Sequence, residues 1–524
     1  MLLRVASWTP GRRWPAAALF GLVATAIGVG VWTGYPVFSD AIVPLLAHDS
    51  GAGSLAAKTA DRPLYGWMLQ ATVAVFGFHR LAWIAIGLAA WGLLGWLTSR
   101  LYRRVFPESP DWSWLPALLV LSPIVVQTQF VTLTIVYPDV VPVGLVLAGL
   151  LAGAGRAGRR GAVAALVLGA LAAVISEYGW AAAFAGAALG LGLRERRTAL
   201  WLGAGAACGA LVFKLTADAS ARPDVTADTQ LPALAAAPVA ALYRWLSGVW
   251  HATIGAYGGA IWHTQLDAKS HASLAIAALG AVGAVLAVLA APRAAGGEPA
   301  SATRTENAAS SDTSSVPRRF IFLLLAVAAA VLPVASAGRL TVFSAAWTGE
   351  YETRFLLPAL PFASVFVTGM IACGMTRPMR AAAAALLGFL CVEASWQGAR
   401  QAMRSEKWAE QLGRALLPVV QSSDGIVVAV GDDDPRLRWG SILTGKATES
   451  WRDEDAVRVW AMARSRAARL VGERSGCRTP DTIKLDEETR WLRRSGRLSS
   501  MLWVPSAGDR VGTFEPYCVT PRSP

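Results

Sequence analysis

A succession of apolar runs, each near the length of a bilayer crossing and most separated by short basic clusters, constrains this chain more than any motif does. The first runs from Pro15 to Trp32 behind Arg4, Arg12 and Arg13. Others fall at roughly 81–98, 113–129, 140–155, 161–176, 179–193, 198–215, 272–291, 320–337, 355–374 and 381–396. A helix of ~20 apolar residues crosses the hydrocarbon core of a membrane. Charged residues make up only 16% of the chain and hydrophobic residues 54%. A soluble domain carries about 25% charge, so most of this chain's surface faces something other than water. A membrane β-barrel would instead show alternating segments of ~10 residues. The expectation is an all-α polytopic membrane protein of about eleven transmembrane helices, with a small C-terminal α/β extracytoplasmic domain.

The formal net charge is +13, which raises the question of nucleic acid. The basic residues do not gather on one soluble face, as a nucleic-acid binder requires. They fall in small groups between apolar runs, as in Arg100, Arg103 and Arg104, in Arg156, Arg159 and Arg160, and in Arg194, Arg196 and Arg197. Such groups mark the cytoplasmic side of a membrane protein. With the N-terminus cytoplasmic, the segments on that side carry most of the basic residues before residue 397, and those on the other side are longer and poorer in them. The first run reads as an uncleaved first helix, since no A-x-A site follows it. The expected location is a bacterial inner membrane, multi-pass, with the N-terminus cytoplasmic and the C-terminus periplasmic.

Two apolar stretches are read as helices lying along the outer surface instead of spanning. One is 64–78, too short to cross; the other is 239–262, with Tyr and Trp residues suited to the interface. Residues 292–318 are rich in Ser, Thr, Ala, Gly and Glu and read as a disordered cytoplasmic loop. This gives a transmembrane domain over 1–396 and a soluble periplasmic domain over 397–524. The latter contains a strand-like run, GIVVAVG, at 425–431. Of five cysteines, Cys208, Cys373 and Cys391 lie in apolar runs and read as inert. Cys477 and Cys518 lie in the tail, where an oxidising compartment lets a disulfide persist; two unpaired thiols are the plainer alternative. No CxxC or Cys/His cluster suggests zinc.

The candidate chemistry lies in acids that recur at the outer turns. Asp40 and Asp61 fall in the first outer loop, Asp139 in VYPDVV, Glu177 in ISEYGW, and Glu350 and Glu352 in TGEYETRFLLPALPF beside Arg354. Acids next to hydrocarbon are costly and tend to mark function. A carboxylate there takes a proton from a hydroxyl as general base, or holds a divalent cation. An arginine grips a phosphate with its two-pronged fork. Each residue also has a plainer reading: a helix cap for Asp139, a cap or interface residue for Glu177, a turn residue for Asp61, a solvated loop acid or cap for Asp40, solvated charge for Glu350 and Glu352, and an interfacial anchor for Arg354. The histidines of the outer loops and Asp432, Asp433 and Asp434 of the tail read as solvated.

The order of these elements is an N-inside first helix, a long outer loop with an early Asp, a D-R-P-L-Y helix start, S-P…Y-P-D, and R-F-L-L-P-A-L-P opening a late span. It resembles the GT-C superfamily of membrane glycosyltransferases over roughly residues 15–374. Protein O-mannosyltransferases and lipid A aminoarabinose transferases are the relatives most alike in pattern. The resemblance implies transfer of a sugar from a polyprenyl-phosphate donor to a hydroxyl acceptor (a glycan, lipid or protein), with inversion at the anomeric centre. It implies Asp40 as the base and Asp139 as the residue that orients the acceptor or, with Asp40, holds a cation. It implies Arg354 at the donor phosphate and Asp61 and Arg62 at the D-R-P position. Glu177 stands where many relatives have Lys or another polar residue, so its role stays open. A flippase or transporter for lipid-linked glycans, a non-catalytic assembly subunit, and a lipid-linked polymerase or ligase are the competing readings. The resemblance also implies that no soluble nucleotide donor is needed; the glycine-rich run near 186–193 reads as membrane packing and not as a nucleotide-phosphate loop.

Overall fold

The computed structural model describes residues 20–25, 62–76, 80–121, 136–153, 158–216, 238–250, 252–253, 271–290, 315–336, 356–393, 395–396, 426–431, 498–504, 506–507, 510–511 and 515–517. The described chain is mostly helical. In order the helices are α1 (Pro63–Phe76), α2 (Arg80–Val105), α3 (Trp114–Val120), α4 (Val141–Gly153), α5 (Gly158–Ile175), α6 (Glu177–Gly192), α7 (Arg196–Thr216), α8 (Pro238–Trp250), α9 (His271–Ala290), α10 (Ser315–Ser336), α11 (Leu360–Gly374) and α12 (377–393). A π-helical segment, Val136–Val140, runs directly into α4.

Among the described residues, three helices are long and apolar enough to cross a membrane: Val136–Gly153, Arg196–Thr216 and Val316–Pro333. The first is 67% buried within the protein, the other two 33% and 28%. One is therefore central and the others peripheral. The peripheral helices and their neighbours turn large apolar side chains outward, including Leu200, Leu211 and Leu215 on α7, and Ile321, Leu325 and Leu332 on α10. A water-soluble surface does not carry apolar area on this scale, whereas hydrocarbon accepts it. Helix α2 shows both faces at once. Trp91, Leu94, Thr98, Leu101 and Val105 form its buried stripe at helical spacing, while Leu93 and Trp96 face out. The hydroxyl of Thr98, buried on that stripe, donates to the Leu94 carbonyl at 2.8 Å, which satisfies a polar group that hydrocarbon would otherwise penalise.

Small residues set the closest helix crossings, as expected where lipid competes equally for every apolar side chain. On α7, Gly205 and Gly209 press on the carbonyls of Leu166 and Ala170 of α5, where a Cβ would collide with backbone. Gly280 of α9 and Gly388 of α12 lie against each other in the same way, a Cβ on Gly388 falling 2.9 Å from the Gly280 carbonyl oxygen. The glycines at 186, 190 and 192 pack on Leu202, Ala199 and Phe322.

Several boundaries differ from the sequence expectation, each for a physical reason. Helix α2 continues past 98 to Val105, because SRLYRR keeps a helical backbone and buries Leu101, Tyr102 and Val105. The helix expected to begin near 140 begins at Val136, as a π segment that accommodates Pro138. Helix α10 starts at Ser315 and so takes in the last four residues of the stretch read as a loop; residues 292–314 lie outside the described residues. Of the expected 15–32 run, residues 20–25 are described and helical. In the tail, β1 (Ile426–Gly431) pairs parallel with β2 (Leu498–Val504), which pairs antiparallel with β5 (Glu515–Tyr517). Two short strands, β3 (Ser506–Ala507) and β4 (Arg510–Val511), form a separate antiparallel pair.

Candidate functional site

Glu177 opens α6 and Glu195 follows its C-terminal turn, so their surroundings lie at the two ends of that helix. The α5–α6 turn and the π segment share one end. The turn is tight because Gly179 abuts the Ala172 carbonyl, a place no Cβ could occupy. Ser176 stands at the N-cap of α6 in extended backbone (φ −166, ψ 166) yet makes no side-chain cap bond. Its hydroxyl donates instead to the carbonyl of Pro138. The wider π turn is a local departure from α geometry of the kind that often sits at functional positions, and the α6 N-cap serine supplies a donor to it.

That bond places Glu177, the first residue of α6, beside the π segment that carries Asp139. Asp139 is buried, 3% exposed. Glu177 is met by Arg62, whose Nε donates to Oε2 at 3.1 Å while Nη2 pairs with Oε1. Both prongs of the guanidinium are engaged, the geometry that gives Arg–carboxylate pairs their directionality. Arg62 is 14% exposed and Glu177 39%, so the carboxylate keeps a wet side. A carboxylate in the first turn is also favoured by the positive end of the helix.

Arg62 immediately precedes α1, and α1 returns to the π segment one further time. The Thr72 hydroxyl donates to the Met68 carbonyl at 2.9 Å. It therefore accepts from the Tyr137 hydroxyl, 2.5 Å away. Tyr65 and Leu69 bury on the inner side of α1, while Trp67 and Val75 face out.

Of the residues expected to form the site, Asp139, Arg62 and Glu177 are thus brought into one neighbourhood. Asp139 lies inside the π segment and not at the N-cap of α4, because the helix starts three residues earlier. Glu177 follows the cap residue instead of being it. Asp40, Asp61, Glu350, Glu352, Arg354, Cys477 and Cys518 lie outside the described residues. Sequence reasoning missed Ser176, Thr72 and Tyr137, whose partners are distant in the chain. It also passed over Glu393, 2% exposed in the last turn of α12. An acid at the close of an otherwise apolar run was the available signal for it. Among the described residues no group of three or more His, Cys, Asp or Glu side chains could hold a metal ion.

The opposite end is built differently. Arg104 pairs with Glu195, and Arg319 grips both oxygens of Glu108 at 3.0 and 2.9 Å. Arg103 donates to the Ser113 hydroxyl at 2.9 Å, and the Tyr102 and Ser109 hydroxyls meet at 2.9 Å. Burial lowers the pKa of Arg104 to about 10, which leaves it charged at neutral pH and able to hold Glu195. Burial also raises the Tyr102 phenol, partly offset by its bond to Ser109. Glu195 reaches Arg104 because α6 ends with Arg194 in the left-handed region at φ 62. The Glu195 amide bonds back to the Gly190 carbonyl at 2.8 Å and the Arg194 amide to Leu191 at 3.1 Å, the paired bonds of a Schellman close. No family model, curated protein or solved structure matches the chain.

Proposed function

We propose that this chain is a membrane glycosyltransferase of GT-C type, moving a sugar from a polyprenyl-phosphate donor to a hydroxyl acceptor at the outer face of a bacterial inner membrane. The observation that carries the reading is Asp139, a carboxylate buried in a proline-containing π segment. It lies beside a second acid, Glu177, at the opposite end of the bundle from the Arg104–Glu195 and Arg319–Glu108 pairs. The proposed topology has about eleven crossings, a cytoplasmic N-terminus and a periplasmic C-terminal α/β domain, with the Arg104 end facing the cytoplasm.

In this mechanism a carboxylate, Asp40 by the resemblance, takes the proton of the acceptor hydroxyl. The oxygen attacks the anomeric carbon from the face opposite the phosphate. The carbon–oxygen bond to phosphate breaks, polyprenyl phosphate leaves with the electron pair, and the centre inverts. Arg354 neutralises the leaving phosphate, and Asp139 orients the acceptor; were a divalent cation used, Asp40 and Asp139 would hold it and it would offset the developing negative charge. The apolar tail of the donor stays in the bilayer throughout. A transporter would carry charged groups near the bilayer midplane. The apolar interiors of α4, α5, α9, α10 and α11 hold none, which favours transfer over transport.

The test uses protein reconstituted in lipid with an envelope extract, supplied with radiolabelled undecaprenyl-phosphate sugars one at a time. Release of label that is lost in Asp40→Asn supports the transferase and names its donor. Saturable donor binding without release by any donor overturns it in favour of transport or assembly.

A further inference from the structure

The polar links around the π segment close on themselves. Arg62, at the foot of α1, grips Glu177, the first residue of α6. Ser176, one residue before Glu177, donates to the Pro138 carbonyl of the π segment. Tyr137, one residue before Pro138, donates to Thr72 of α1. The three elements are therefore joined pairwise, α1 to α6, α6 to the π segment, and the π segment to α1. The two residues immediately ahead of Asp139 each hold one of these links. Removing any one link opens the frame; only the Arg62–Glu177 link is ionic and bidentate.

We infer that Arg62 and Glu177 are positioning residues that fix Asp139 through this frame, and that neither contacts the donor. The inference rests on the transferase reading for its kinetic consequence, but the frame itself does not. Arg62 already spends both prongs of its guanidinium on Glu177, so a donor phosphate would have to break that pair before it could use the same fork. Positioning makes a different demand from ligand contact: it requires complementary charges across the gap and is indifferent to which side carries which.

The experiment is a charge exchange. Arg62→Gln and Glu177→Gln should each lower kcat by about 10²-fold, the cost of a displacement near 1 Å, while the donor KM stays within about two-fold because donor binding is untouched. The double exchange Arg62→Glu with Glu177→Arg should recover most of the loss, which a phosphate-binding arginine would not allow. A KM raised in Arg62→Gln and not restored by the exchange overturns the inference and returns Arg62 to the donor site. Hydrogen exchange over Val136–Val140 provides a readout without turnover: protection should fall in both single variants and return in the exchange. Unchanged protection in the single variants overturns the frame. Absence of turnover in the wild type with any donor overturns the transferase reading alone, and the exchange data then decide the frame by themselves. Thr72→Val, which keeps the side-chain shape, should loosen the same segment more mildly; unchanged protection there also counts against the frame.

Discussion

The two ends of the helical bundle use the same kinds of residue for different ends. At one, Arg104 with Glu195, Arg319 with Glu108, and Arg103 with Ser113 tie helices to the turns beside them. At the other, polar links join α1, α6 and the π segment that carries the buried carboxylate Asp139. The first arrangement is explained by stability alone. The second holds a buried carboxylate, whose desolvation costs several kcal/mol unless it is well partnered, on the segment that the transferase reading uses. The proposed function turns this contrast into a testable one: the Arg104 end should matter for stability and the Asp139 end for turnover.

The comparison can be broken at several points. Gly179→Leu, at the frame end, should have the largest effect on folding, since its side chain meets the Ala172 carbonyl and pushes α5 from α6. Overpacking of this kind costs about 3 kcal/mol at its upper range, read as a fall in Tm in detergent. The same variant should also disturb the Val136–Val140 segment. Glu195→Gln, at the anchoring end, removes the partner of a largely buried Arg104 and should cost about 1–3 kcal/mol. Its destabilisation should leave hydrogen exchange at Val136–Val140 unchanged; loss of protection there would show that the two ends are not independent. The smallest effect is expected from Arg194→Gly. It relieves a side chain held at φ 62 and should raise stability by about 1 kcal/mol, read as a rise in Tm.

The helices were legible in the sequence because an apolar run near bilayer length has few alternatives. The starts of α5, α7 and α9 lie within a few residues of the expected ones. The meaning of the charges was less legible. Arg104 and Arg319 read as signals of membrane side, and their partners Glu195 and Glu108 drew no notice because each lies far away in the chain. Asp139 and Glu177 were read as acids at outer turns, with helix capping among the alternatives for both; Asp139 instead lies within the π segment. Ser176 took the cap position of α6 and gave its hydroxyl to Pro138 instead. Local rules could place a serine before a helix; they could not show that a carbonyl of a π segment, 38 residues earlier, would claim it. The pairing of Arg62 with Glu177 across 115 residues was invisible for the same reason.

The most direct test measures turnover and Tm together in Asp139→Asn and Glu195→Gln. Removing a general acid–base or orienting carboxylate costs about 10²–10⁴-fold in rate. The account predicts that Asp139→Asn loses turnover on this scale and keeps its Tm, whereas Glu195→Gln lowers Tm and keeps the turnover of its folded fraction. Full turnover in Asp139→Asn, or equal effects of both variants on both quantities, would contradict it.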